Sequence, residues 1–134
     1  MLGCSLILDT DILVALLKGK QDANQAMQDL QEKADEVATT IISAYELLKG
    51  AQLSSRPKEN LAQVQELLSN IQVLDLTLKA CEEASVIYQN VRREGCLTGE
   101  FDVLIAAIAW TNNEAIMTRD QHFKSFKDIK TVDW

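Results

Sequence analysis

The chain has 134 residues, 47% of them hydrophobic, which fits one domain spanning 1–134 with a sizeable core. One proline and five glycines leave no flexible linker or low-complexity tail, and no apolar stretch approaches the roughly 20 residues of a membrane helix. Thirteen basic against 20 acidic residues give a formal charge of −7, which argues against a surface that binds nucleic acid by generic phosphate neutralisation.

Residues 5–9 are short, apolar and bounded by Asp9, the pattern of a fully buried strand. A short helix follows over Ile12–Leu17 and breaks near Lys18-Gly19-Lys20. Residues 22–34 place Ala23, Ala26, Met27, Leu30 and Ala34 at helical spacing. Val37-Ala38-Thr39-Thr40-Ile41 is β-branched and reads as a second strand. Ser43 and Glu46 stand at the spacing of a capping box, which predicts a helix reaching about Leu53. Pro57 suits the first turn of the next helix, with Leu61, Val64, Leu67 and Leu68 on one side. A third strand is expected over 71–76, and Thr77 is a cap for a helix over 79–93 that ends near Gly95. Thr98 is the expected cap of a helix reaching about Asn112, with Leu104, Ile105, Ile108 and Ala109 inward. A strand at 115–118, a turn of helix around His122-Phe123 and a strand at 129–132 complete the chain. Strands alternating with helices predict an α/β fold, a three-layer α/β/α sandwich with a mostly parallel sheet.

Acids stand at the edges of these elements. Asp9 closes the first strand and Asp120 follows the strand at 115–118. Glu46 is expected in the first turn of the helix after strand two, and Asp102 near the start of the helix at 99–112. In an open parallel sheet the carboxyl ends of the strands line the ligand crevice, so all four can reach one rim. Glu100 is two residues from Asp102, about 200° away around a helix, and Asp102 shares the inward face with Ile105, Ala106 and Ala109. Two carboxylates about 4 Å apart repel by ~4 kcal/mol at an effective dielectric of about 20, so such a cluster calls for a cation. A bound divalent ion activates water and stabilises charge on a phosphate, which makes phosphodiester hydrolysis the best-fitting reaction. Each acid also has a plain structural role open to it, as a helix cap or a first-turn charge. With four carboxylates set aside, 13 basic and 16 acidic residues leave an ordinary −3.

Cys4, Cys81 and Cys96 are odd in number and widely spaced, so they are expected as buried or half-buried thiols and not as a disulfide framework. One histidine and no close cysteine pair argue against zinc. Oxygen ligands point to Mg²⁺ or Mn²⁺. Met1-Leu2-Gly3-Cys4 has the outline of a lipoprotein cleavage site, but no basic segment or apolar core precedes it, and a cytoplasmic location is expected.

Leu8-Asp9-Thr10-Asp11, Ser43-x-x-Glu46, Asp102-Val103-Leu104-Ile105-Ala106-Ala107 and Met117-Thr118-Arg119-Asp120-x-x-Phe123 together resemble the PIN-domain family, and within it the VapC toxins of type II toxin–antitoxin systems. The likeness runs over nearly the whole chain. It implies a metal-dependent ribonuclease, a homodimer, and a cognate VapB-like antitoxin that holds it inactive. By the same resemblance Asp9 and Asp102 are the principal Mg²⁺ (or Mn²⁺) ligands. Asp120 is a fourth acidic position that ligates directly or through water, and Glu46 binds metal or orients its water. Thr10 and Thr118 would bond a carboxylate or phosphate beside the site. Asp11 departs from the Asn or Ser of many relatives and is expected to cap the following helix.

For RNA contact, Lys18, Lys20, Lys49, Arg56, Arg119 and Lys124 lie on segments near the expected rim, and Arg119 adjoins the acids directly. Leu16, Tyr45, Leu47, Leu48 and Leu61 are candidates for an apolar groove that receives an antitoxin helix. Two alternatives remain at this point. One is a catalytically silent PIN-like binding module. The other is a phosphoryl-transfer domain: haloacid dehalogenase-like through Asp9-x-Asp11, whose further motifs are not in order here, or receiver-like, which needs its accepting Asp after strand three, whereas Asp75 lies within that strand pattern.

Overall fold

The computed structural model describes residues 5–33, 36–96 and 98–134. Its layering follows from alternation along the first strand, β1 (Ser5–Leu8). Side chains on a strand point to opposite faces in turn. Ile7 packs with Ala80, Ala84 and Val91 of α5 (Leu78–Arg93) and with Ile105 and Ile108 of α6 (Glu100–Thr111). Leu8 packs on the other face, against Ile12 and Leu13 of α1 (Thr10–Leu17) and Ala23 of α2 (Gln21–Lys33). Leu47 of α3 (Ile41–Gln52) and Val64 of α4 (Pro57–Ser69) join that second cluster. β4 (Ala115–Met117) repeats the device, with Ile116 in the first cluster and Met117 in the second. Two cores on two faces of one sheet make the three-layer α/β/α sandwich.

β2 (Glu36–Thr40), β3 (Gln72–Leu74) and β5 (Thr131–Val132) complete a sheet in the order β3-β2-β1-β4-β5. Every pairing among the described strands is parallel, so the expected "mostly parallel" sheet is wholly so. The two branches of the chain's winding part at β1 and β4, the place where such sheets open a crevice at their carboxyl ends.

Several element ends differ from expectation for local reasons. Asp9 is the N-cap of α1 and not a strand residue: its side chain accepts from Thr10 N, and the helix starts at Thr10. β3 stops at Leu74 because its partner β2 ends at Thr40, where the chain turns into α3. β5 is confined to two residues that pair with Ile116 and Met117. Ser43 does not cap α3. Thr40 does, accepting from Ser43 N at 3.1 Å, so Ser43 is the third helical residue and no Ser43–Glu46 capping box forms. Thr98 does not cap α6 either; Gly99 occupies that position without a side-chain bond, and Thr98 Oγ1 is buried without a partner among the described residues. Pro57 at the start of α4, Thr77 as the cap of α5 and a left-handed Gly95 (φ 73°) after it stand as expected.

Cys81 and Cys96 are exposed, which overturns the expectation of buried thiols. Cys81 faces outward on α5 while its neighbour Ala80 takes the core position, and Cys96 follows the turn at Gly95. The expectations for Cys4 and Ala34 fall outside the described residues. Among the described residues no helix is long and apolar enough to cross a membrane.

Candidate active site

Register brings the first two site residues together. Leu8 pairs with Met117, so the residues that follow them, Asp9 and Thr118, leave the sheet side by side. Thr118 Oγ1 donates to Asp9 Oδ2 at 2.7 Å and accepts from the backbone N–H of Asp120 at 3.0 Å. The other oxygen of Asp9 accepts from Thr10 N at 2.8 Å. Asp9 is only 5% exposed. Burial pushes its pKa up to about 7, with the charges of Asp11 and Asp102 adding to the effect and the bonds from Thr118 and Thr10 opposing it.

Glu46 arrives from the neighbouring strand. β2 ends beside β1, α3 starts at Ile41, and the second turn of α3, not the first, carries Glu46 over the start of α1. Thr10 Oγ1 donates to Glu46 Oε1 at 3.0 Å and lies 2.9 Å from the buried Ser43 Oγ. Because Thr40 takes the capping role, Glu46 is left to face the crevice.

Asp102 projects from the first turn of α6. Its pKa is pushed up to about 6, first by burial and then by the charge of Asp120; Glu46 and Asp11 add to this and His122 opposes it. Asp120 caps the 3₁₀ helix Gln121–Ser125, accepting from His122 N at 2.9 Å. That turn folds His122 back, with Nδ1 at 3.2 Å from Asp120 Oδ1 and 3.9 Å from Asp102 Oδ2. Asp102, Asp120 and His122 each offer one ligand atom within 4.8 Å of the others.

Asp9, Glu46, Asp102 and Asp120 lie near enough that Asp9 feels the charge of Asp102, and Asp102 those of Glu46 and Asp120. Among the described residues only Asp102, Asp120 and His122 bring ligand atoms within 4.8 Å of one another. Among the described residues none of the four forms an ion pair with a lysine or arginine. Oxygen donors in excess of nearby cations are the environment a divalent ion needs, so the residues present fit one. His122 is the member that sequence reasoning passed over. Its signal was its place two residues after Asp120, the spacing at which a capping carboxylate accepts the backbone N–H of the later residue.

Other expected residues are placed differently from one another. The Arg119 guanidinium turns away: Nη1 pairs with Asp22 at 2.9 Å, Nε donates to the Trp134 carbonyl oxygen at 2.6 Å, and Cζ stands 3.5 Å from the Trp134 ring centroid. Asp9 takes the N-cap position, while Asp11, in the first turn, satisfies a free helix N–H by accepting from Ile12 N at 2.7 Å. The Asp11 carboxylate also accepts from Arg119 N at 3.1 Å and so ties α1 to the segment after β4. Lys49 sits over the rings of Tyr45 and Phe101, at 5.3 and 5.5 Å from their centroids, and Arg56 pairs with Glu59. Lys18 and Glu46 edge a groove of about 330 Å³ whose apolar wall includes Val14, Leu17, Leu47 and Val64. Of the residues read as an apolar groove, Leu47 lines it. Leu16, Leu48 and Leu61 pack against the α1–α4 core, and Tyr45 lies edge-on to Phe101.

With this geometry the chain belongs to the PIN domain family, whose family model matches residues 6–129. The particular members it is similar to are VapC proteins. The tRNA(fMet)-specific endonuclease VapC of Shigella flexneri is 29% identical over 129 residues, 96% of each chain. The ribonuclease VapC2 of Haemophilus influenzae is 26% identical over the same share. Among solved structures, the DNA-bound VapBC of Salmonella typhimurium superposes with a TM-score of 0.90 at 26% identity, over 98% of each chain. The haloacid dehalogenase-like and receiver-like alternatives gain no support from these relatives.

Proposed function

We propose that this chain is a divalent-metal-dependent endoribonuclease, the toxin of a VapBC-type toxin–antitoxin pair. The observation that carries the reading is the proximity of Asp9, Glu46, Asp102 and Asp120, with no lysine or arginine paired to them among the described residues. The nuclease names of the relatives support the reaction class, and the VapBC complex among the structural neighbours supports a VapB-like antitoxin. A homodimer acting in the cytoplasm completes the proposal.

Asp9, Asp102 and Asp120 would hold the ion (Mg²⁺ or Mn²⁺). When bound, it supplies an activated water and neutralises charge on the phosphate during in-line displacement. The chain's own groups set the stage for that step. Thr118 and Thr10 N fix both oxygens of Asp9, so its carboxylate is oriented before any ligand arrives. Thr10 holds one oxygen of Glu46 and leaves the other to orient the attacking water and take its proton. Thr118 also anchors the backbone of Asp120, which keeps the third carboxylate in register with the first.

The test is cleavage of a labelled structured RNA pool by purified protein, with a DNA pool of matched sequence as control. Metal-dependent RNA cleavage that EDTA stops is the expected result. An intact RNA pool under all metals, together with retained binding to an antitoxin, would favour the catalytically silent module instead.

A further inference from the structure

The acids account for a hard, oxygen-only site, and His122 does not belong to that description. We propose that His122 supplies a nitrogen donor to the ion held by Asp102 and Asp120, and thereby tilts the site toward first-row transition-metal ions such as Mn²⁺ over Mg²⁺. The inference rests on the reading that these carboxylates hold a divalent ion.

Three observations support it. First, the donors are close enough to reach one centre. With metal–donor bonds of about 2.1 Å, neighbouring donors of an octahedron stand about 3.0 Å apart and opposite donors about 4.2 Å apart. His122 Nδ1 lies 3.2 Å from Asp120 Oδ1 and 3.9 Å from Asp102 Oδ2, between those two limits. Second, the placement is imposed by backbone and not by packing. Asp120 caps the 3₁₀ helix by accepting the backbone N–H of His122, which holds the start of that side chain beside the carboxylates. The side chain is 63% exposed, which leaves it no burial role that would explain its orientation. Third, the chemistry discriminates. Mg²⁺ takes oxygen donors and keeps its waters, whereas the gain from an imidazole donor grows along the first-row series, smallest for Mn²⁺ but still greater there than for Mg²⁺.

The experiment is calorimetric titration of the metal-free protein with MnCl₂ and, separately, MgCl₂, for wild type, His122→Gln and His122→Ala. Pulsed EPR of the Mn²⁺-loaded protein then reads ¹⁴N coupling directly. We expect both variants to lose Mn²⁺ affinity by on the order of tenfold while Mg²⁺ affinity moves by less than about twofold, and the ¹⁴N coupling to vanish with the imidazole. Equal losses for the two ions, without ¹⁴N coupling in wild type, would make His122 a hydrogen-bond partner of Asp120 and overturn the proposal. Unchanged binding of both ions would overturn it as well, while leaving the carboxylate site standing. Failure of wild type to bind either ion would remove that site and the inference together. Circular dichroism of the exposed-site variants checks that the fold is retained.

Discussion

Thr118 Oγ1 donates to Asp9 Oδ2 at 2.7 Å, joining two residues 109 positions apart in the chain. The same hydroxyl accepts the N–H of Asp120, so one side chain couples the carboxylate at the end of β1 to the one after β4. Both bonds are buried or half-buried, where losing a partner costs more than the bond adds. Thr118→Val keeps the shape and removes both bonds. We expect it to destabilise the chain by about 1–3 kcal/mol and to weaken metal binding by about 10–100-fold. Thr118→Ser should recover most of both, by urea unfolding and calorimetry. A Val variant with wild-type metal affinity would mean that Asp9 is not oriented through Thr118.

The raised pKa values of Asp9 and Asp102 set the sign of a pH effect. Both are above the ordinary 3.8, at about 7 and about 6, so the folded chain holds these protons more tightly than the unfolded chain. Their stabilising contribution is complete below about pH 3.8 and is lost as pH rises through the two folded values. In EDTA, the melting temperature of wild type relative to Asp9→Asn should therefore fall between about pH 4 and pH 7 and level off above that. Added Mg²⁺ or Mn²⁺ should restore it at the upper end, because an ion that binds only the folded state stabilises it. Parallel melting curves for the two proteins across that range would show that Asp9 ionises without cost.

Glu46→Gln keeps a side-chain oxygen for Thr10 Oγ1 and removes the charge. The fold and its melting temperature should change little. RNA cleavage should drop by on the order of 10²-fold or more, the usual effect of removing a proton acceptor from the reacting water. Single-turnover rates at saturating metal separate this from weaker ion binding. A rate within a few-fold of wild type would remove Glu46 from the reaction.

Arg119 makes the opposite case. Its guanidinium is engaged by Asp22 and Trp134 at half-exposed positions, so its work is to fasten the last residues against α2. Arg119→Ala should cost little stability, because a solvent-exposed ion pair and a surface cation–ring contact are weak. Cleavage should stay near wild type, since the residue's one link to the acids is its backbone N–H, which alanine retains. A large loss of cleavage at full stability would place the side chain on the substrate after all.

Much of the sandwich was legible because its signals are local. The apolar run at Leu6-Ile7-Leu8, the cap at Thr77, the helix start at Pro57 and the inward stripe of α6 each carry their own pattern. The acids were legible for the same reason, since each stands at a strand or helix edge. What the sequence concealed depends on choices between equivalent neighbours. Thr40 and Ser43 are both good caps, and only the end of β2 decides for Thr40, which in turn frees Glu46. Arg119 adjoins Asp120, yet Trp134 and Asp22 capture its side chain through contacts distant in the chain. His122 needed the 3₁₀ turn, whose tightness is set by Asp120's own cap.

The most direct measurement is RNA cleavage across a Mg²⁺ and Mn²⁺ titration by wild type, Asp9→Asn and Asp102→Asn, each checked for fold. If these carboxylates hold the catalytic ion, wild type cleaves in proportion to bound metal, and both variants lose at least about a hundredfold while melting no lower than wild type in EDTA. Cleavage that persists in both folded variants, or that proceeds in EDTA, would contradict the metal site at the β1–β4 rim.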